Sequence, residues 1–264
     1  MAEDLSKYAN ESLYKRPQRL PLNEVNLHGG KGIFTKTLFT EEKGEDNRYK
    51  TVDLGEEVKV VWLKIRRKLV QWDKELGLIR STNEHNAPTD VVTMFGQGGP
   101  KVGIASEIRE EFDDLRTVQV VYALLVGEGK SELVRLNVKG SSLGSNNKAE
   151  DTTSFYDYLK KFTKDEHFYE YVTDISTVKE KSNLGEYHAM NFSRGAKLTD
   201  QQMEKVATEM KKVHQAAVEE DEYYSKGAST TVTAKPTQLT GTQPGGERVI
   251  EYPEEEISPE DIPF

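Results

Sequence analysis

Apolar residues alternate with polar ones over much of this chain and follow a helical period in only a few places. Gly32–Phe39 (GIFTKTLF) is rich in β-formers. Val58–Val70 (VKVVWLKIRRKLV) reads as a strand for its β-branched content, although Val58, Val61, Ile65 and Leu69 also suit a helical stripe. Asp90–Phe95 is a short strand candidate. Val118–Val126 (VQVVYALLV) is almost wholly apolar, as for a strand covered on both faces. In Glu132–Lys139, Val134, Leu136 and Val138 alternate with Arg135, Asn137 and Lys139, the pattern of a half-buried strand. Phe168–Val172 and Glu186–Phe192 make two more. Helices are expected at Ala105–Phe112, at Thr153–Phe162 and from about Thr199 to Val218. The last has Asp200 as a candidate cap and carries Met203, Val206, Met210, Val213 and Ala217 on one face.

Many short strands with few helices predict a mainly β fold with flanking helices (α+β). An OB-fold-like, partly closed antiparallel barrel fits, with other β architectures open. Residues 1–20 read as a polar N-terminal arm. Residues 21–218 read as one β-rich domain ending in the long helix. Residues 219–250, rich in Thr, Gly, Ser and Pro, read as a flexible linker, because that composition buries too little apolar area to order itself. As a coil of 32 residues it would span roughly 30 Å root-mean-square. Residues 251–264 form an acidic tip.

The formal net charge of −9 becomes informative once it is divided. From Glu219 onward there are eleven acids and three bases, a net of −8; the first 218 residues hold 34 acids and 33 bases, a net of −1. The acidity belongs to the tail, and a local basic face on the body is compatible with the overall charge. The absence of Cys excludes disulfides and thiolate metal sites. No apolar run approaches the roughly 18 residues of a membrane span, and the N-terminus lacks the apolar centre of a secretion signal. A cytoplasmic location with no membrane partner is the expectation.

Lys59–Trp72 interleaves Lys59, Lys64, Arg66, Arg67 and Lys68 with Trp62 and Trp72 and contains no acid. Binders of single strands need cations along the phosphates and flat rings under the bases. As a regular strand the segment places Trp62, Lys64, Arg66 and Lys68 on one face and Val61, Leu63, Ile65 and Leu69 on the other. Arg135 and Lys139 would extend that surface, with Arg116 beside them. The bland reading is a solvated charged face with Trp62 at the edge of a core. Tyr122 reads as core. The cluster Phe155, Tyr156, Tyr158, Phe162, His167, Phe168, Tyr169 and Tyr171 is mostly core by its spacing, with some rings left for bases. The glycine-rich stretches at 28–32, 95–100 and 139–144 lack phosphate-loop spacing and read as hairpin loops. Only Glu84-His85-Asn86 concentrates catalytic residue types, and there is no HExxH or GxSxG. A non-enzyme without cofactor or metal is therefore expected.

The last fourteen residues, EYPEEEISPEDIPF, hold six carboxylate side chains and no base, and end on Asp261-Ile262-Pro263-Phe264. Carboxylates followed by an apolar plug suit a basic-rimmed hydrophobic pocket, a known mode of terminal-peptide capture. EEEISPEDIPF resembles the C-terminal tip of bacterial single-stranded DNA-binding proteins, and the divergent body makes the chain look more like the phage-encoded kind. The resemblance implies that Phe264 is the plug, that Ile262 and Pro263 shape it, and that Glu254, Glu255, Glu256, Glu260 and Asp261 meet basic residues around the pocket. It further implies a protein that coats single-stranded DNA in replication, recombination or repair and recruits partner proteins by the tip. The alternative is an adaptor that binds no DNA and uses the tip to occupy replication-protein pockets. The body is about twice the length usual for that family's barrel and carries no recognised motif of it.

Overall fold

A computed structural model of the chain describes residues 20–231 apart from 40, 42, 44–48, 74–75, 113, 128–130, 145–151, 164 and 183–184, with side chains for all but 182 and 226–231. The arm, except Leu20, lies outside the described residues, as do residues 232–250 of the linker and the whole acidic tip. In order, the elements are β1 (Asn23–His28), β2 (Ile33–Thr37), β3 (Thr51–Gly55), β4 (Glu57–Asp73), β5 (Gly77–Thr82), β6 (Val91–Gly96) and β7 (Lys101–Ile104). There follow α1 (Ala105–Glu111), β8 (Arg116–Val126), β9 (Ser131–Val138), α2 (Phe155–Lys160), β10 (Tyr171–Ser182), β11 (Gly185–Lys197) and α3 (Asp200–Thr231).

β4 organises the sheet. Its strongly β-branched, apolar run is paired with β8 from Lys59 to Val70 along one edge. The other edge is shared by β10 at residues 57–60 and β5 at residues 70–73. The main path runs β3-β2-β1-β9-β8-β4-β5-β6-β7, and the β10–β11 hairpin branches from β4. β1 and β9 are parallel and the other pairs antiparallel, so the sheet is mixed. The fold is mainly β, as expected, but the sheet is not closed into a barrel. The physical reason lies along β11. The outward N–H groups of His188, Met190 and Phe192 donate to Gly29 O, Ser142 Oγ and Thr153 O, so loops occupy the edge that a closing strand would need.

Among the described residues there are three apolar clusters. The main one is wrapped by β1, β2, β4 and β8–β11 and capped by α2; it contains Val60, Trp62, Val121, Leu136, Phe155, Tyr158 and Phe192. Trp62 is fully buried, stacked on Phe155 with centroids 5.2 Å apart, and edge-on to Tyr158 and Phe192. The second lies on the opposite face of β4 and β8, under α3, and includes Val61, Leu63, Val120, Val206 and Val213. The third joins Leu69 to Val92, Met94, Ile108 and Leu115 beside α1. β8 faces the first two clusters at once, which explains its unbroken apolar run.

Several local readings need correction. α3 is capped by Thr199, not Asp200. Its hydroxyl accepts from Gln202 N at 3.4 Å while Gln202 Oε1 accepts from Thr199 N at 2.9 Å, a reciprocal capping box. The helix passes Val218 and runs to Thr231, with Glu220 and Tyr224 buried, so the first part of the expected linker belongs to the body. The last strand before β11 begins at Tyr171, after a 3-10 turn at Phe168–Glu170. Asn137 is 7% exposed, so β9 is covered on both faces at its end rather than half-buried. The stretches at 28–32 and 95–100 do form the β1–β2 and β6–β7 hairpins. Gly32 has φ 67°, and a Cβ there would stand 2.5 Å from the His188 ring. Residues 140–142 instead form a 3-10 turn towards α2.

Trp62→Ala should lower the free energy of unfolding by roughly 3–5 kcal/mol in urea titrations. Trp72→Ala, at a site 58% exposed, should change it by less than about 0.5 kcal/mol.

Candidate nucleic-acid interface

The cations and rings singled out in the sequence are divided by one extra residue. Trp62 pairs with Ala123 and Lys64 with Tyr122, which leaves Leu63 as a bulge. Before it, Val58, Val60 and Trp62 face the main core; after it, Ile65 does. Lys64, Arg66 and Lys68 therefore share the α3 side with Val61 and Leu63, not with Trp62. Trp62 is sealed in the core and cannot stack on a base. Arg66 is 1% exposed beneath α3 and is no phosphate contact. Arg135 is also withdrawn: Nη2 lies 2.9 Å from Glu24 Oε1 and Nη1 3.6 Å from Glu84 Oε1. Lys59 is exposed but pairs with Asp174 across β10 at 2.9 Å, and that carboxylate raises its pKa by hydrogen bond and charge.

The withdrawn groups build a polar ribbon across the sheet. Arg66 donates to the carbonyls of Ala217 and Glu84 and pairs with Asp221 and, at 3.4 Å, with Glu220. Tyr122 Oη donates to Glu84 Oε2 at 2.8 Å; burial first, then the Glu84 charge, push this phenol far above its ordinary range. Arg135 links Glu84 to Glu24, and Asn137 Nδ2 donates to Glu24 and Asn26. Asn86 Nδ2 reaches Asp221 at 3.3 Å. The Glu84-His85-Asn86 triplet thus ties α3 to the sheet. A buried ion pair adds little net stability, but removing one partner costs about 3–5 kcal/mol. The ribbon therefore sets where α3 sits. No cluster of His, Asp and Glu able to hold a metal occurs among the described residues.

Lys64, Arg67, Lys68, Lys139 and Trp72 are the candidates still near solvent. Lys68 pairs with Val118 on the α3 side of β4, and Lys139 follows the last residue of β9. Lys139 is exposed by surface area. Loss of water around its ammonium, and then the neighbouring Lys68 charge, hold its pKa below the usual lysine value. Lys64 is shifted down by burial and by Arg66, against an opposing pull from Asp221. Arg67 faces the other way, opposite Gln119. Trp72 stands on the β4–β5 hairpin opposite Leu78, with Leu76 also exposed.

Of the aromatic cluster, Phe155 and Tyr158 are core, as expected, with Phe162 and Phe168 packed against them. Tyr169 packs against the second cluster, while Tyr171 and Phe162 flank the Arg194 guanidinium at 4.8 and 4.5 Å. His167 stays exposed, stacked on Tyr169 with centroids 4.9 Å apart, and Tyr156 is left outside at 41% exposure. Its Oη accepts from Gln119 Nε2 at 3.0 Å. Helical spacing sets Phe155, Tyr158, Leu159 and Phe162 on the inner face, and Tyr156 is the remaining ring of that stretch. Gln119 carries no signal in the sequence, because a lone polar residue in an apolar strand does not disclose its partner.

His85 is buried, and its backbone N–H and C=O both bond Arg67 at 2.9 Å. Burial lowers its pKa, against a hydrogen bond to the Asn83 carbonyl; Arg67 and Arg66 lower it further, opposed by Asp90. With the folded pKa below the unfolded value of about 6.5, this contribution is intact above that pH and is lost as pH falls towards the folded value. The melting temperature should drop between about pH 7.5 and about pH 5.5, and His85→Gln should flatten that slope.

Comparison of the chain with protein-family models, with curated proteins and with solved structures finds no match.

Proposed function

We propose that the chain is a non-enzymatic single-stranded DNA-binding protein that recruits replication, recombination or repair proteins through Glu251–Phe264. The observation that carries this reading is the acidic run closing on Asp261-Ile262-Pro263-Phe264 beside a body of net charge −1. Lys139 supports it. Among the described residues it has no carboxylate partner, and its nearest charged influence is the like charge of Lys68. A phosphate between two ammonium groups would relieve that repulsion, and such pairing releases counterions. Trp72 adds an exposed indole on a hairpin. We keep the likeness to an oligonucleotide-binding barrel within this proposal, on the strength of the strands that wrap the main core. A bacterial or phage-infected cytoplasm is the compartment this activity implies. No described helix is long and apolar enough to cross a membrane.

The adaptor reading draws support from the burial of Trp62 and Arg66, which thins the basic, aromatic face inferred from the sequence. Fluorescence anisotropy of labelled oligo-dT across a salt series separates the two. A DNA binder loses affinity steeply with salt and prefers single strands to duplex; an adaptor shows no binding even at low salt. Lys139→Glu should weaken binding, and the slope of log affinity against log salt should become shallower by about 0.7 for each phosphate no longer neutralised. Deleting Glu251–Phe264 should leave single-strand affinity equal or higher at low salt while abolishing partner recruitment. Markedly weaker DNA binding by the truncated chain would count against the role given to the tip.

A further inference from the structure

Ile65, Arg67 and Leu69 lie on one face of β4, Ile65 against the main core and Leu69 in the third cluster. Arg67 stands at the seam between them. It is partly buried, yet among the described residues its side chain makes no hydrogen bond or ion pair. None of its nitrogens is sealed from solvent without a partner, so an incoming anion can reach the guanidinium and pair with it. Its register partner Gln119, 3% exposed, uses its amide to hold the Tyr156 hydroxyl at 3.0 Å. The Tyr156 ring also meets Phe155 in a T-shaped contact, centroids 5.4 Å apart at 77°. The ring is thus held at its hydroxyl and by Phe155 while 41% of the residue stays in solvent. A fixed, exposed ring near a cation without an acid partner has the chemistry of a nucleotide site: stacking for the base and charge for the phosphate.

We propose that Arg67, Gln119 and Tyr156 form a subsite for one unpaired nucleotide of bound single-stranded DNA. The base stacks on Tyr156, Arg67 takes a flanking phosphate, and Gln119 positions the ring. This rests on the single-strand-binding reading above and adds an interaction that composition does not reveal. Duplex is excluded because its bases are already stacked on one another and cannot lie on a protein ring. The subsite is on the opposite face of β4 from Lys68 and Lys139, so a strand that touches both bends across the end of the sheet.

The test uses the full chain with oligo-dT carrying bromodeoxyuridine, read by anisotropy and by mapping the photocrosslinked peptide. Tyr156→Ala should weaken binding about ten-fold, the scale of one base stack removed. Tyr156→Phe, which keeps the ring and loses the hydroxyl, should stay within about three-fold of the parent. Arg67→Ala should make the salt slope shallower by about 0.7, and the crosslink should fall on Tyr156. Thermal melting of each variant checks the fold, and the crosslink on the unaltered chain reads the subsite without any substitution. If the parent binds but Tyr156→Ala binds equally well and the crosslink lies elsewhere, the subsite is overturned while the single-strand reading stands. If the parent does not bind at all, that reading fails and the subsite with it.

Discussion

β4 carries one residue more than β8 between Trp62 and Lys64, and the rest of the body depends on that mismatch. A strand alternates its side chains without exception unless a bulge resets it. Leu63 provides the reset. Ahead of it the large rings and β-branched groups enter one core; beyond it the cations turn to the side where α3 lies. Were Leu63 to pair in regular alternation instead of bulging, Trp62 and Arg66 would share a face and could not both be satisfied, one needing apolar neighbours and the other carboxylates and carbonyls.

Arg66 shows how the second layer follows from the first. A guanidinium directed under a helix needs carboxylate and carbonyl partners there, and Arg66 finds four through Nη1 and Nη2, its Nε being left without one. Ala217, Glu220 and Asp221 come from α3, and Glu84 from the segment after β5. Residues distant in sequence are thereby committed to one place, and Tyr122 and Arg135 continue the commitment to β9 and β1. Arg66 and Arg135 are the cations directed inward, whereas Lys31, Lys139, Lys160, Lys161, Lys197 and Lys211 are among those that stay exposed.

The strands were legible where β-branched residues alternate or crowd, as at β4, β8 and β11, and the helices where Val206, Val213 and Ala217 recur on one face. β1, β3, β5 and β7 were not, because each is short and draws its stability from neighbours in the sheet rather than from its own composition. The site was legible as a segment but not as a surface. Counting residues along Lys59–Trp72 finds the cations and rings, yet a one-residue bulge is invisible to a period of two. Tyr156 was legible as one of several rings, but Gln119 escaped for a related reason: its meaning comes from a hydrogen bond to that ring across 37 positions. The acidic tip lies outside the described residues, and its reading rests on the sequence alone.

The loops along β11 have one more consequence. An open sheet ordinarily presents a row of amide and carbonyl groups that can template another chain, and the hazard grows with local concentration. A protein that lines a DNA strand in many copies would place such edges side by side. With His188, Met190 and Phe192 already bonded to Gly29, Ser142 and Thr153, this flank has little left to offer a neighbouring molecule. Under the proposed coating of single-stranded DNA, copies packed side by side would not fuse their sheets into fibres along that side.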